Sequence, residues 1–320
     1  MHLVPSQTRL NFLGHRRKAF VVSVLLLAVA VASLAVRGLN LGIDFTGGTL
    51  VEVGYTQPVS VGSVRSDLHA AGFGQAVVQT FGAPSDILVR VPSANGANDS
   101  AQVSTAVLEA LRGGAPEGVQ VTMRRVEFVG PQVGQELTVK GLQALAFALI
   151  GILIYVSLRF ELRFAIGSVA ALIHDVLIVL GVFSLTGMEF DLPVIAAILA
   201  VIGYSLNDTI VVFDRIRENL RKLRKEGTES VMNVSVNETL GRTVVTSTTT
   251  LLVLLSLFFL GGPVIHGFAA ALIAGVVVGT YSSVFVGAPL ALVLGVTRTD
   301  LMTRAETEGE GPKAGEAHAP

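Results

Sequence analysis

Asp208 stands inside an apolar run, in the stretch GYSLNDTIVVFDRIREN (Gly203–Asn219), with Asn207 beside it. A carboxylate in a lipid-spanning segment costs at least about 2.5 kcal/mol on insertion scales, so its charge should be either paired or used. Asp214 follows six residues later, which puts Asp208 ~9 Å inside the edge of the run. His174 and Asp175, in AALIHDVLIVLG, lie about eleven residues past Arg163, ~17 Å deep and near the bilayer centre. Arg242 belongs to NETLGRTVVTSTTT (Asn237–Thr250). The preceding SVNE (Ser235–Glu238) fits a capping box, which would set Arg242 about two turns into a helix. Thr239, Thr243, Thr246 and Thr250 then form a stripe, and a polar stripe on a membrane helix faces protein or water rather than lipid.

Asp208 and Arg242 come to similar depth and can meet directly or through water. Burial favours the neutral carboxyl, whereas a nearby guanidinium favours the carboxylate. A movement that changes their separation would therefore load and unload a proton, as a proton-coupled device requires. The competing reading is a static pair that only fixes helix packing. His174 and Asp175 have the same two readings: part of an ion pathway, or a hydrogen-bonded packing pair. A lone histidine with scattered carboxylates matches no zinc spacing, and the chain has no cysteine. No cofactor, metal site or catalytic residue is expected.

These residues need helices to hold them at depth. The chain has 320 residues, 51% hydrophobic and only 15% charged, with no tryptophan. Its mean hydropathy is +0.65. A soluble domain carries about 25% charged residues, so this is a polytopic membrane protein. The net charge of −1 says nothing about nucleic acid, and no basic, aromatic-interleaved patch suggests it as a partner, so none is expected. Six apolar runs are long enough to span, at about Ala19–Val36, Val139–Leu158, Phe164–Thr186, Leu192–Phe213, Thr243–Leu260 and Gly267–Val296. Pro289 should kink or end the over-long last run. Asp191 and Pro193 read as the cap and first turn of the fourth. Gly267, Ala271, Gly275 and Gly279 form a stripe of small residues suited to close helix packing, within the chain or against a partner.

Lys and Arg gather before the first span and in alternate links, while GMEFD and GGPVIHG carry none. The charge rule places both termini in the cytoplasm. SLA (Ser33–Ala35) fits a small-residue cleavage site, but the length of the first run favours an uncleaved anchor. The expected organisation is a cytoplasmic N-terminus (1–18), a first span (19–36) and an extracytoplasmic domain with connectors (37–138). A five-helix bundle (139–296) with a cytoplasmic loop (214–234) and a disordered cytoplasmic tail (297–320) follow. The loop runs through DRIRENLRKLRKEG, amphipathic through Ile216, Leu220 and Leu223.

Residues 37–138 change to a soluble pattern. GTLVEVGY (Gly48–Tyr55) alternates like a strand, and Ser60 caps a helix that closes on Gly72. QAVVQTFG and DILVRVP read as strands split by Gly82–Ser85. NDSAQVSTAVLEALRGG is an amphipathic helix with Val103, Val107, Leu108 and Leu111 on one face, and VQVTMRRVEFVG is a last strand. The order βαββαβ is the ferredoxin-like α+β arrangement. His69 stands alone on a surface helix face. The connector LNLGIDFTGGTL (Leu39–Leu50), with Asp44, Gly47 and Gly48, is either a flexible exit from the membrane or a shaped loop coupling the domain to the first helix. Gly130–Pro131 and Gly134 suit a hinge before the second span.

Six spans, a domain after the first and a charged fourth span resemble one half of a resistance–nodulation–division (RND) superfamily transporter. The motifs GIDFTGG (42–48), VGPQVGQEL (129–137), ALIHDV (171–176), GYSLNDTIVVFDRIREN (203–219) and NETLGRTVVTSTTT (237–250) are similar to those of the SecD/SecF family, on its SecF side. The resemblance implies a protein-transport role in the bacterial inner membrane, beside a SecD half and the SecYEG channel. There the proton-motive force, or sodium in some lineages, assists export of an unfolded polypeptide. It carries the family's membrane carboxylate onto Asp208 and its arginine onto Arg242, with a further carboxylate supplied by SecD. Asn207, His174, Asp175 and Thr246 would line or support the pathway, and Asp44, Gly47 and Gly48 would form a coupling loop. Two rivals stay open: an exporter half for small molecules or lipids, and a passive scaffold for the channel.

Overall fold

The computed structural model describes residues 10–92, 100–223 and 225–296; the expected disordered tail and residues 1–9 lie outside these. A 3-10 turn (Leu13–His15) leads into α1 (Arg16–Arg37). Then come β1 (Asn40–Leu41), α2 (Ile43–Thr46), β2 (Gly48–Tyr55), α3 (Val61–Ala70), β3 (Val77–Phe81), β4 (Ala83–Val91), α4 (Ser100–Gly114) and β5 (Val121–Val129). The chain continues with α5 (Pro131–Arg159), α6 (Leu162–Thr186), β6 (Glu189–Phe190), α7 (Leu192–Lys222), α8 (Thr228–Leu260) and α9 (Pro263–Ser282). A π-helical segment (Ser283–Gly287) joins α9 to α10 (Ala288–Val293).

Six helical segments of the described residues are long and apolar enough to cross a membrane, and they coincide with the six expected runs. Their burial differs. The most apolar stretch of α6 is 56% buried and that of α7 is 50%, against 11% for α5 and 17% for α8. So α6 and α7 form the inside of the bundle, while α5 and α8 turn apolar surface outward. α1 is a member of the bundle, joined to α6 by Ser33–Ser184 (2.8 Å). Gly275 of α9 meets Val201 of α7, and a Cβ on Gly279 would lie 3.1 Å from Ser205. The small-residue stripe therefore seats α9 on α7 within this chain, and it is not a partner surface.

The helices are longer than the apolar runs that announced them. α5 starts at Pro131, so Gly130–Pro131 is the start of the helix itself. Gly134 is instead a contact point: a Cβ there would lie 3.0 Å from Gly47 N. α8 starts at Thr228, so SVNE lies inside the helix and does not cap it. Ser235 Oγ donates to Val231 O (2.8 Å) and accepts from Asn219 Nδ2 (3.0 Å). Packing explains the early start, because Val231, Met232 and Val236 are buried in the same cluster as Ile216 and Leu220 of α7. Helix accordingly covers 214–222 and 228–234 of the segment read as a loop. In the last span the irregularity precedes Pro289, which lies in the first turn of α10. Proline lacks an N–H and crowds the preceding turn, and a wider π turn accommodates it.

The α+β domain has the expected βαββαβ order. Its four strands lie in the order β3-β4-β2-β5, and every neighbouring pair is antiparallel. The core beneath α3 and α4 includes Val51, Val64, Leu68, Ile87, Val107 and Leu111. Ser60 caps α3, accepting from Ser63 N at 3.0 Å, and His69 is exposed. The β3–β4 turn is tighter than expected. Gly82, at φ +82, turns the chain by itself, so Ala83–Ser85 belong to β4.

Candidate ion-coupling site

Asp208 lies on the buried face of α7 with 3% of its surface exposed. Its Oδ2 is buried and has no hydrogen-bond partner among the described residues. Arg242, on α8, interacts with it electrostatically without direct ion-pair contact. The guanidinium belongs to an exposed residue, four turns into the lengthened helix and not two. Asn207 does not join the site, because one residue along an α-helix turns the side chain ~100°. It is exposed, in line with Ala196, Ala200 and Gly203. Small residues beside an amide make a surface suited to close approach of another helix.

The threonine stripe is largely satisfied by its own backbone. Thr246 Oγ1 donates to Arg242 O (3.0 Å), and Thr250 Oγ1 to Thr246 O (2.9 Å). Thr239 Oγ1 donates to Ser235 O (3.1 Å), whereas Thr243 Oγ1 is buried without a partner among the described residues. The residue that links helices here is Ser247, which bonds Thr280 of α9 (2.7 Å) and accepts from Tyr204 of α7 (3.3 Å).

His174 and Asp175 form a second buried centre, separate from Asp208. Asp175 is fully buried. Its Oδ2 accepts from Ser205 Oγ of α7 (2.5 Å) and Ser282 Oγ of α9 (2.7 Å), and its Oδ1 lies 2.9 Å from His174 Nδ1. One carboxylate thus ties three helices together. Ser205 and Ser282 were missed by sequence reasoning. The available signal was position: Ser205 lies one helical turn before Asp208, and Ser282 is a polar residue inside an apolar span.

The connector 39–50 is shaped, and its contacts are not mainly with the first helix. β1 pairs in parallel with β6, and Asp44 Oδ2 accepts from Leu192 N at the start of α7 (2.9 Å). Asp191 caps the same helix, accepting from Val194 N (3.0 Å). Burial pushes the Asp191 carboxyl up to about 6, helped by Glu189 and Asp44 and opposed by the Val194 hydrogen bond. Gly47, at φ +68, packs so close to α5 that a Cβ would lie 2.9 Å from Pro131 Cα; Gly48 has φ +131. From the domain, Arg90 pairs with Glu189 (2.7 Å) and donates to Leu41 O (2.7 Å). A cleft of about 800 Å³ lies beside this joint, between the open face of the sheet and the adjacent ends of α7 and α9.

The other end of the bundle is a ring of ion pairs. Arg159 holds Asp214 (2.7 Å), Arg217 holds Glu161 (3.0 Å) and Arg215 holds Glu238 (2.6 Å). Asp214 is therefore an ordinary paired surface group. Among the described residues, no cluster of three or more His, Asp or Glu could hold a metal ion.

Comparison with known proteins matches the model "Protein export membrane protein SecD/SecF, C-terminal" over residues 114–297 and the SecD/SecF GG motif over residues 32–59. The protein translocase subunit SecF of Vibrio alginolyticus is 47% identical over 308 residues, covering 96% of this chain and 97% of its own. SecF of Magnetococcus marinus is 50% identical over 297 residues, covering 92% and 94%. Among solved structures, SecDF of Thermus thermophilus, described as a translocon-associated membrane protein, superposes with a TM-score of 0.81 at 39% identity over 91% of this chain. A SecDF structure in a super-membrane-facing form gives a TM-score of 0.67 at 38% identity over 97%. The present chain spans 39% and 41% of those two SecDF chains.

Proposed function

The chain belongs to the SecF branch of the SecD/SecF protein export family, and on that premise we propose that it couples ion movement to protein translocation through Asp208 and Arg242. It works as a non-enzymatic subunit in the bacterial cytoplasmic membrane, with both termini cytoplasmic and the α+β domain outside. Its partners are a SecD half, the SecYEG channel and the exported unfolded chain.

The observation that carries this reading is the mismatch at the site. Among the described residues, the buried Asp208 has no hydrogen bond and Arg242, exposed in a membrane helix, has no direct ion-pair partner. A charge in such a position is costly unless another group meets it. A carboxylate from the SecD half, packed against the exposed faces of α7 and α8, would complete the site. When Arg242 turns to that carboxylate, Asp208 is left in apolar surroundings and takes a proton. When Arg242 turns back, Asp208 ionises and releases it. The guanidinium favours a proton over sodium as the driving ion, because a positive charge already near the carboxylate opposes a metal cation beside it. Asp44 and Asp191, both on the N-terminus of α7, together with the Gly47–Gly134 contact, would pass a movement of α7 to the domain. His174, Asp175 and Thr246 support the helices around the site.

The test is export by reconstituted SecD–SecF–SecYEG with and without a proton gradient, wild type against Asp208→Asn. The variant should assemble normally and lose the gradient-dependent stimulation. Normal stimulation in the assembled variant would remove Asp208 from the mechanism and leave the passive scaffold.

A further inference from the structure

We propose that His174 is a second proton-binding group of the bundle, taking its proton on Nε2 while Nδ1 stays bonded to Asp175, and that the resulting charge change acts on α7 through Ser205. The inference rests on the ion-coupling reading above and adds a site to it.

Asp175 is an acceptor with no exposed surface, and Ser205, Ser282 and His174 surround it. For His174 to donate from Nδ1, the neutral ring must carry its hydrogen there, which leaves Nε2 as a bare acceptor. Nε2 is buried and has no partner among the described residues. The ring cannot easily swing to find one. It stacks on Tyr281 at 6.1 Å and 27°, and Tyr281 Oη is held by Ala19 O of α1 (2.9 Å) and Ser23 Oγ (3.1 Å). Adding a proton forms one N–H bond at Nε2 and breaks none in the network. The charge of the dyad goes from −1 to zero, which removes an uncompensated anion from the interior.

The other ionisable groups near the dyad are few. α9 contributes Tyr281, and α7 contributes Asp208, three residues or ~4.5 Å of helix rise beyond Ser205. The π segment and α10 carry none, and those of α1 and α5 lie towards the ends of their helices. Two buried carboxylates are thus joined by one helical turn and a hydrogen bond. A proton on His174 relieves the repulsion that an ionised Asp208 would feel, so the two sites load in alternation. Ser282, the second anchor of Asp175, directly precedes the π segment, an irregularity that recurs at functional sites.

The experiment is a ¹⁵N-histidine NMR titration of the assembled SecD–SecF complex across about pH 5 to 8, the range in which histidine charge changes. The His174 signal is assigned by its loss in His174→Asn or, should that variant fail to assemble, in His174→Gln. The expected result is that Nε2 passes from bare nitrogen to N–H while Nδ1 stays protonated, with a moved midpoint in Asp208→Asn. An Nε2 that keeps one state throughout overturns the proposal, and an unmoved midpoint overturns the coupling to Asp208. His174→Asn keeps a donor to Asp175, so a purely structural role predicts an unchanged pH profile of export. The proposal predicts loss of that pH dependence and a roughly tenfold drop in stimulation, within the usual range of coupling between sites. Normal export by Asp208→Asn would sink the broader reading, while the titration still judges His174 by itself.

Discussion

Asp175 and Asp208 are both buried carboxylates, on neighbouring helices and one turn apart through Ser205, yet they are held in opposite ways. Asp175 has a donor from α7, one from α9 and another from His174. Among the described residues, Asp208 has no hydrogen bond, and the more distant Arg242 alone answers its charge. A satisfied buried carboxylate holds one arrangement of helices in place. An unsatisfied one favours whichever arrangement brings it a partner or a proton. The contrast separates a fixed joint from a moving part within one bundle.

Substitution should expose that difference most strongly. Asp175→Ala leaves Ser205 and His174 as buried donors without an acceptor, at ~1–3 kcal/mol each, while Ser282 keeps Gly279 O (3.2 Å). Thermal unfolding should show a large loss of stability. Asp208→Asn should abolish gradient-driven export while leaving the melting temperature equal or higher, since it removes a buried charge that only the distant Arg242 answers. Equal destabilisation by both changes would erase the contrast.

Glu189 is an intermediate case, paired with a buried arginine. Arg90→Gln leaves it without its cation, and breaking a buried pair costs about 3–5 kcal/mol. The loss should appear as detachment of the domain from the bundle, read by protease sensitivity of the 39–50 connector, while the domain core stays folded. Helix spacing offers a finer probe. Gly275→Ala forces α9 away from Val201 and should cost about 1–3 kcal/mol, as overpacking does. It should also weaken the serine bonds to Asp175 before it affects Asp208.

The smallest effect concerns Asp191, a carboxylate satisfied by backbone. Its folded-state value of about 6 lies above the ordinary carboxylate range, so the folded protein binds this proton more tightly than the unfolded chain does. The stability it contributes is full below about pH 4 and is lost as the pH rises through about 6. Asp191→Asn keeps a capping side chain and cannot titrate. Its melting temperature relative to wild type should climb between those two pH values, and a constant difference would contradict the burial argument.

Much of the molecule was legible beforehand because the relevant signals are local. Hydropathy located six spans, period-two and period-3.6 patterns located the strands and helices of the domain, and Asp208 stood out by its cost in an apolar run. Helix starts were less legible. SVNE has the residues of a capping box, but burial of Val231 and Met232 against α7 extends α8 past it. The stripe at Gly267–Gly279 pointed to close packing without saying against what, and α7 of the same chain is the answer.

The sequence by itself determined which residues must lie in lipid, which segment leaves it as an α+β domain, and that charges at Asp208, Asp175, His174 and Arg242 need an explanation. Only the tertiary structure decided how each charge is met: Asp175 by Ser205 and Ser282, and, among the described residues, Asp208 by no hydrogen bond and Arg242 by no direct ion pair. The physical reason is range. Depth and periodicity follow from neighbours along the chain, whereas a hydrogen bond depends on which faces of distant helices are pressed together.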